Sequence, residues 1–502
     1  MNQPASFRRS TVAAVLGVAA SAVLTAVPAL PVVQAVAVFA GEPVHVRGLE
    51  TVTELPSLGM AVVRGDARTL ARLAAVPGVV GLARDEAVEV AGDDTSATGL
   101  GHLAWRGLGG PAGQPGAGQG VRVAVVDTGV SDTAALSRAS GRLVDAADSS
   151  SGELQTGGVY TDGYGHGTFM AGAIAGGPVA ATGGRALGVA PGATVLVVRV
   201  AKQDGSTSLS RVLTGLEWVN DHADEVDVVS VSLSKRRPHA RYGVDPLTSA
   251  IETIREAGVT PVVAAGNRPG EVGDPGFTPG ALTVGAADLG TSRVATFSGS
   301  ALVAGMRKPD VVANGVRVLG VLPPGSVLAQ AADTAQLPGG LFRGSGTSQA
   351  TAVTAGLAAL LLDEHPAATP DQVKASLRCA ADQLPGKRDG QGLVRYPASL
   401  CAGPDGQALD GSGDLTGYVD FDAGAWGAGA WGAGAWGAGA WGAGAWGAGA
   451  GGAGAWGAGA WGAGAWGAGA WGAGAWGAGA WGAGAWGAGA WAASDFGEAR
   501  SG

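Results

Sequence analysis

The chain has 502 residues, a formal net charge of -9 and 91 glycines. Its length is enough for several domains and at least one large core. The mildly acidic balance provides no electrostatic footprint for nucleic acid or an anionic membrane, so neither class of partner is expected. Two cysteines are too few for a disulfide-framework protein.

The N-terminus has the pattern of a secretory signal peptide. Two arginines precede an uncharged Ala- and Val-rich run, Thr11 to Ala40, that two prolines interrupt. Ala35-Val36-Ala37 is the best small-x-small cleavage site, so residues 1–37 are assigned to the signal peptide. An uncleaved anchor helix is the alternative, because the run is long enough to span a bilayer. The prolines and the small-residue site favour cleavage and therefore export.

Residues 38–95 are predicted to form a small α+β unit. The segments PVHVRG, GMAVVRG, GVVGLARD and AVEV are typical of short strands. DARTLARLAAV begins with an aspartate suited to cap a helix and spaces its apolar residues at helical intervals. A unit of this size is marginal on its own, so we expect it to dock against a larger domain.

A polar linker, DDTSATG, leads into residues 96–402, where short apolar runs alternate with helical patterns. The runs VRVAVV, TVLVVRV, VDVVSVSL, VTPVVAAG and ALTVGA are typical of parallel strands buried on both faces. SRVLTGLEWVNDHA and PLTSAIETIREAG have the apolar spacing of helices. This alternation predicts an α/β fold with an open, doubly wound, mostly parallel sheet.

Three polar residues stand at the ends or starts of these predicted elements. Asp127 follows VRVAVV, His166 lies in GHGTFMAG, and Ser348 lies at the start of the helical run in GSGTSQATAVTAG. Singly, each has an ordinary explanation: a turn aspartate, a structural histidine or an N-terminal helix serine. Their joint occurrence in the order Asp, His, Ser is not readily explained by three independent accidents.

These residue types can together activate a serine hydroxyl. The hydroxyl of Ser348 needs an adjacent base, which His166 can supply, and Asp127 can orient the imidazole and compensate its developing charge. A helix that starts at Ser348 also points backbone N–H groups at the reaction centre. Asn267, at the carboxyl end of VTPVVAAG, is either a turn residue or an amide donor to an oxyanion.

These motifs resemble the subtilisin-like serine peptidases over residues 38 to about 380. The family's prototype is the standard example of this triad order and of an asparagine oxyanion donor. The resemblance implies a secreted endopeptidase that acts through an acyl-enzyme on protein or peptide substrates. It assigns the catalytic roles to Asp127, His166 and Ser348 and the oxyanion role to Asn267. It also implies that residues 38–95 are an inhibitory, chaperone-like propeptide, which makes the protein a zymogen.

The resemblance further implies two walls of a primary substrate pocket. An extended peptide would pair with their backbone as an added strand. Ser234 stands where the family usually has glycine, and its side chain is expected to narrow the pocket. The wall residues are Ser232, Leu233 and Ser234 on one side and Ala264, Ala265 and Gly266 on the other.

Three further departures from the family pattern concern the surroundings of the nucleophile. Gln349 stands where the family usually has methionine, and Ala352 and Asn314 stand where it usually has proline. None of them removes a catalytic group. They are expected to change the local packing of the nucleophile's helix and to leave the mechanism unchanged.

Cys379 and Cys401 are candidates for a disulfide, because export exposes them to oxidising conditions. Closing a loop of that size stabilises a fold by roughly 3 kcal/mol. The alternative is two free, buried thiols. No cofactor is expected and no acidic cluster names a metal site, although the resemblance implies that structural calcium is common among relatives.

A linker at 403–422 leads into repeats of WGAGA at 423–491, and residues 492–502 follow. Trp426 and every fifth residue to Trp491 are tryptophan, apart from Gly451. Two glycines in five oppose a stable helix. A disordered tail is favoured; indoles that bind cell-wall sugars, and self-association through cross-β sheets, are the alternatives.

The repeats also define a second class of function. In it the protein is a non-catalytic cell-surface or adhesive protein, and the peptidase-like domain is a scaffold for the tail. The presence of all four catalytic groups weighs against this alternative. The resemblance therefore favours an extracellular enzyme, with cell-surface association if the indoles bind the wall.

Overall fold

The computed structural model describes residues 31–401 except Glu42, His45, 91–100, 236–241, 244, 304–305, 332–334, 387 and 398. Most of the predicted signal peptide, the linker DDTSATG, the linker at 403–422, the repeats and the last residues lie outside the described part of the chain. Within that part, no helix is long and apolar enough to cross a membrane.

An antiparallel sheet and one helix build the N-terminal unit. Its elements are β1 (Val32–Phe39), β2 (Glu50–Leu55), β3 (Met60–Asp66), α1 (Ala67–Ala74), β4 (Val79–Arg84) and β5 (Ala87–Val90). Strand β1 lies between β3 and β4, and β2 lies beyond β3. The carboxylate of Asp66 accepts a hydrogen bond of 2.7 Å from the Thr69 N–H and caps α1, which confirms the predicted helix start.

One prediction for this unit is wrong, and a second boundary falls inside a strand. PVHVRG forms no strand in its described residues and belongs to the connection between β1 and β2. The predicted boundary after Ala37 falls inside β1, where Ala35, Val36 and Ala37 are fully buried and pair with both neighbouring strands. A cut there would divide the central strand. The compact unit begins at Val32, and the end of the leader stays a prediction.

The remaining elements follow in chain order. The strands are β6 (Arg122–Asp127), β7 (Leu143–Asp148), β8 (Thr194–Arg199), β9 (Thr207–Ser208), β10 (Val228–Val231), β11 (Leu233–Lys235), β12 (Tyr242–Gly243), β13 (Thr260–Ala264), β14 (Leu282–Asp288), β15 (Arg293–Val294), β16 (Ala301–Val303), β17 (Met306–Lys308), β18 (Val311–Asn314), β19 (Val318–Val321), β20 (Gln336–Leu337) and β21 (Leu341–Gly344). The helices are α2 (His166–Ala175), α3 (Leu209–Asp221), α4 (Pro246–Glu256), α5 (Val327–Ala331), α6 (Thr347–Glu364) and α7 (Pro370–Cys379).

The predicted parallel sheet is confirmed. Its strand order is β15-β14-β13-β10-β6-β8-β7, and β18 also pairs with β14. All of these pairings are parallel except that of β14 with β15. The chain leaves β6 towards β8 and β7 on one side and returns through β10 on the other. The carboxyl end of β6 is therefore a topological switch point, where open α/β sheets place their sites.

Apolar clusters cover both faces of this sheet. In β6, Val123 and Val125 belong to the cluster that includes residues of α2, α6 and α7, whereas Ala124 and Val126 belong to the cluster of α3 and α4. This alternation is why the strand sequences are continuously apolar. The N-terminal unit adds side chains of β1, β2 and β3 to the α3–α4 cluster, as expected of a unit that needs a larger partner.

A group of buried charges lies where α7 meets the sheet. Asp310 accepts a hydrogen bond of 2.8 Å from Lys308 Nζ, and the Nζ of Lys374 and the guanidinium of Arg378 each lie 3.5 Å from the same carboxylate. Lys374 also donates a hydrogen bond of 2.9 Å to the carbonyl of Ala281. Burial lowers the pKa of Lys374 to about 7, and the nearby Asp310 carboxylate only partly offsets this effect.

The lowered pKa of Lys374 predicts that the folded protein becomes more stable as the pH rises above neutrality. Between pH 7 and about 10, the folded protein holds Lys374 largely neutral, whereas the unfolded chain keeps it protonated. Because the unfolded state then binds more protons, stability rises with pH across this window. Melting temperatures of a Ser348→Ala background should show this rise, and Lys374→Met should flatten it. Lys202→Met, at an exposed lysine, should keep the wild-type slope. Equal slopes in all three proteins would contradict the assignment.

Candidate active site

The structure brings Asp127 and His166 together at the carboxyl end of β6. Asp127 is the last residue of β6, and His166 is the first residue of α2. Gly167 makes this approach possible, because a Cβ there would lie 2.2 Å from the Gly129 carbonyl oxygen and 3.1 Å from Asp127 Cβ. Glycine is therefore required where the helix start meets the strand end.

The imidazole and the carboxylate are buried and in direct contact. His166 Nδ1 lies 2.8 Å from Asp127 Oδ1 and 2.9 Å from Oδ2, and each side chain is 1% exposed. The Thr128 N–H donates a further hydrogen bond of 2.8 Å to Asp127 Oδ1. With Nδ1 engaged by the carboxylate, Nε2 is the nitrogen that can accept a proton from a substrate-side group.

Asp162 organises the approach to His166 and is missing from the sequence-based assignments. Its carboxylate accepts hydrogen bonds of 2.7–2.8 Å from the Gly165 N–H, the Thr128 hydroxyl, and both the N–H and hydroxyl of Thr168. Burial raises the pKa of Asp162, and these four hydrogen bonds oppose that effect. An aspartate four residues before a histidine at a predicted helix start is the signal that could have identified it.

Ser348 occupies the first turn of α6, which packs against α2. Its hydroxyl donates a hydrogen bond of 3.2 Å to the Ser232 carbonyl oxygen, at the end of β10. The two residues that the sequence assigned as nucleophile and base thus both lie in the first turns of packed helices. The start of α6 also directs backbone N–H groups towards the region of the Ser348 hydroxyl.

Asn267 contacts Thr347, the residue that precedes Ser348 in the chain, and this contact orients the Asn267 side chain. Asn267 Oδ1 accepts hydrogen bonds of 2.9 Å from both the N–H and the hydroxyl of Thr347. Since the amide oxygen is engaged in this way, the amide NH2 is the part of Asn267 that can donate to an oxyanion.

The two walls assigned to the substrate pocket lie next to each other, because β10 and β13 are paired neighbours. The side chain of Ser234 lies between Gly266 and Gly273. A Cβ at Gly273 would be 2.1 Å from Ser234 Oγ, and one at Gly266 would be 3.4 Å from it. Gly273 is a pocket residue that the sequence reasoning missed, since a glycine in a loop gives no periodic signal.

A strand of the N-terminal unit occupies the groove along the first wall. Strand β5 lies between β11 and β9 in an antiparallel sheet. Val90 pairs with Leu233, Glu89 with Ser234, and Val88 with both Lys235 and Thr207. The first wall therefore pairs with an extended segment by strand addition, and β9 flanks the opposite edge of that segment, which the sequence did not reveal.

Polar contacts attach the rest of the unit to α3. The buried carboxylate of Glu217 accepts hydrogen bonds of 3.0 and 3.2 Å from the N–H groups of Ser57 and Leu58. Asp85 accepts hydrogen bonds of 2.8 and 2.7 Å from the N–H and hydroxyl of Ser210, at the start of α3. Burial raises the pKa of Glu217. Both carboxylates lose protein donors if the unit leaves.

The departures around the nucleophile are all in buried positions. Gln349 is 3% exposed, Asn314 is 1% exposed and Ala352 is fully buried. Among the described residues, neither polar atom of the Asn314 side chain has a hydrogen-bond partner. None of these side chains takes part in the hydrogen bonds between Asp127 and His166.

Cys379 and Cys401 form a disulfide in the structure. The bond ties the last described residue to the end of α7, and the Cys401 N–H also donates a hydrogen bond of 2.9 Å to Ser376 Oγ. In the described part of the chain, no three His, Cys, Asp or Glu residues are grouped to hold a metal ion. The structural calcium that the resemblance implies therefore stays a prediction without named ligands.

The parallel sheet, its switch point at β6 and the two packed helix starts define a subtilisin-like α/β protein. A model of the subtilase family, peptidase family S8, matches residues 118–395, which is more than half of the chain. The chain belongs to the subtilase family.

Individual relatives agree with this assignment. The protein named serine protease AprX from Bacillus subtilis (strain 168) is 36% identical over 289 residues, covering 54% of this chain and 63% of that protein. Subtilisin Savinase from Lederbergia lenta is 34% identical over 285 residues, covering 56% of this chain and 91% of that protein. The chain thus spans less than two thirds of AprX.

A solved structure shows the same fold. Fervidolysin from Fervidobacterium pennivorans aligns with a TM-score of 0.54 at 22% sequence identity, covering 73% of this chain and 60% of that chain. At this identity the likeness concerns the fold alone.

The hydrogen bonds that Asp162 accepts should contribute to the stability of the folded protein, and a substitution can test this. Asp162→Asn keeps the shape of the side chain, but an amide cannot accept all four hydrogen bonds, so buried donors lose their partner. We expect a loss of about 1–3 kcal/mol in the free energy of unfolding. Urea denaturation of a Ser348→Ala background measures this loss. Asp204→Asn, at a carboxylate that the solvent reaches, is the matched control. An Asp162→Asn protein as stable as its parent would refute this role.

Proposed function

We propose that the chain is a secreted serine endopeptidase, made as a zymogen, that hydrolyses peptide bonds through an acyl-enzyme. The observation that carries the proposal is the buried contact of 2.8 Å between His166 Nδ1 and Asp127 Oδ1, beside a second helix that presents Ser348. Membership of the subtilase family supports the reaction class.

In the proposed reaction, Ser348 Oγ attacks the carbonyl carbon of the scissile bond, and its proton passes to His166 Nε2. Asp127 accepts the Nδ1–H hydrogen bond and stabilises the imidazolium that forms. The carbonyl oxygen becomes an oxyanion that accepts hydrogen bonds from the Asn267 amide and a backbone N–H at the start of α6.

Collapse of this tetrahedral intermediate breaks the C–N bond. His166 Nε2 gives its proton to the leaving amine, and the acyl group remains as an ester on Ser348. Water then adds to the ester carbonyl with His166 as base, and the carboxylic acid leaves as Ser348 regains its proton. Water supplies the atoms added across the C–N bond, so these reaction steps balance without a further reactant.

The zymogen proposal rests on the segment that occupies the substrate groove. Strand β5 pairs with β11 in the manner expected of a substrate. Its antiparallel register ends with Val90 opposite Leu233, the neighbour of Ser232, whose carbonyl oxygen accepts the Ser348 hydroxyl. We therefore place the processing bond among the residues that directly follow Val90.

Export is proposed on two grounds. The N-terminal pattern of two arginines followed by an uncharged Ala- and Val-rich run is typical of a secretory leader. The bond between Cys379 and Cys401 is of a kind that persists in oxidising compartments. The tryptophan repeats lie outside the described residues, so cell-surface binding by their indoles stays a prediction.

Replacing the nucleophile tests the reaction. Ser348→Ala removes the attacking oxygen and should abolish both peptide hydrolysis and separation of the N-terminal unit, with a loss of at least about 10⁴-fold in kcat. Casein hydrolysis and intact-mass measurement of the purified chain report the two effects. Ser131→Ala, at a serine on the Asp162 side of the site, keeps the nucleophile and should still be processed. Processing that persists in Ser348→Ala would show that another residue acts.

The position of Ser234 predicts a narrow primary pocket. With its hydroxyl between Gly266 and Gly273, small side chains should be preferred over large aromatic ones. Ser234→Gly should raise kcat/KM for a peptide with Phe at the cleaved position by about tenfold relative to the Ala peptide. Ser234→Thr, which adds a methyl group, should lower the same ratio. Profiling of a peptide library in which the wild type cuts best after large aromatic residues would eliminate this interpretation.

A further inference from the structure

Strand β5 shows how a peptide in the groove meets charged side chains. Val88 is 4% exposed and belongs to the apolar cluster that includes Leu209 and Leu233. Successive residues of a strand point to opposite faces, so Glu89 faces away from this cluster. The side chain of Glu89 is 40% exposed and pairs in register with Ser234.

Arg268 lies on the other side of this position. It follows Asn267, the proposed oxyanion donor, in the loop after β13. Its guanidinium lies 4.0 Å from Glu89 Oε2, and its side chain is 55% exposed. A cation that projects from the loop of the oxyanion donor therefore meets one defined position of any peptide paired along β11.

The backbone pairing itself carries no preference for a side chain, because main-chain hydrogen bonds are the same for every residue except proline. Discrimination at this position has to come from groups around the side chain. Arg268 supplies such a group, because its guanidinium lies beside the side chain of Glu89.

We propose that Arg268 is a specificity-determining residue that favours an acidic side chain at the substrate position paired with Ser234. The inference rests on the proposed function, because it takes β5 as the guide to how a substrate lies. The ion pair is partly exposed, so the preference for Glu over Gln is about two- to fivefold in kcat/KM at low salt. It weakens as ionic strength rises.

The first test uses internally quenched peptides with the sequence of residues 87–94, carrying Glu, Gln or Lys at the position of Glu89. In the wild-type enzyme, kcat/KM should fall in the order Glu, Gln, Lys, and about 0.5 M NaCl should compress the differences. Arg268→Ala should bring the Glu/Gln ratio close to one, and Arg268→Glu should favour Lys. Arg293→Ala, at an exposed arginine on β15, should keep the wild-type ratios. Ratios that Arg268→Ala leaves unchanged would overturn the proposal.

A second test needs no catalysis and separates this inference from the proposed function. In a full-length Ser348→Ala chain, Glu89→Lys should increase amide hydrogen exchange in Ala87–Val90, because the new charge faces Arg268. Adding Arg268→Glu to Glu89→Lys should restore protection. Glu54→Lys, at an exposed position of β2, should leave exchange in β5 unchanged. Failure of the charge exchange to restore protection would refute the role of Arg268. Restored protection, together with a chain that keeps Ser348 and yet cuts no peptide, would refute the proposed reaction alone.

Discussion

The contact between Asp127 and His166 is the constraint on which the rest of the site depends. It requires a strand to end and a helix to begin at the same point, with both side chains removed from solvent. The sheet meets this requirement at β6, where the chain connections diverge to the two sides. Gly167 allows the close approach, and Asp162 holds the loop that leads to the helix. Asn267 and Ser348 then belong to the next elements along the same edge of the sheet.

The N-terminal unit contacts both the same edge and the outer helices, as the proposed propeptide role requires. Its strand β5 fills the groove beside β11, while its sheet contributes to the apolar cluster over α3 and α4. Glu217 and Asp85 add hydrogen bonds between the unit and α3. One docking surface thus joins the apolar cluster and the strand pairing, and under the proposed function the loss of the unit would remove both together.

Much of the domain could be predicted from the sequence, because its signals are local. The valine-rich strands of the sheet are apolar on both faces, and the triad residues stand where strands end or helices begin. Other features depend on distant partners. Val32–Ala37 has the composition of an export segment, and only its pairing with β3 and β4 shows that it is a central strand. PVHVRG has strand-like residues but no neighbour to pair with in its described part.

The pocket shows the same division between local and distant information. The sequence indicated that Ser234 departs from glycine, but its approach to Gly273 depends on a loop almost forty residues away. Strand β9 is two residues long, too short to produce any periodic pattern, although it forms one side of the groove. Such features follow from how segments meet in space, and no pattern within either segment contains them.

Central to the proposed function is the activation of Ser348 by Asp127 and His166 in a groove that the N-terminal unit covers. The rate at which a serine-reactive phosphonate labels Ser348, located by peptide mapping, tests it most directly. We predict rapid labelling of the processed enzyme, labelling at least about 10³-fold slower in Asp127→Asn or His166→Ala, and little labelling while the unit stays bound. Labelling at equal rates in wild type and both variants, or labelling at a residue other than Ser348, would contradict the account.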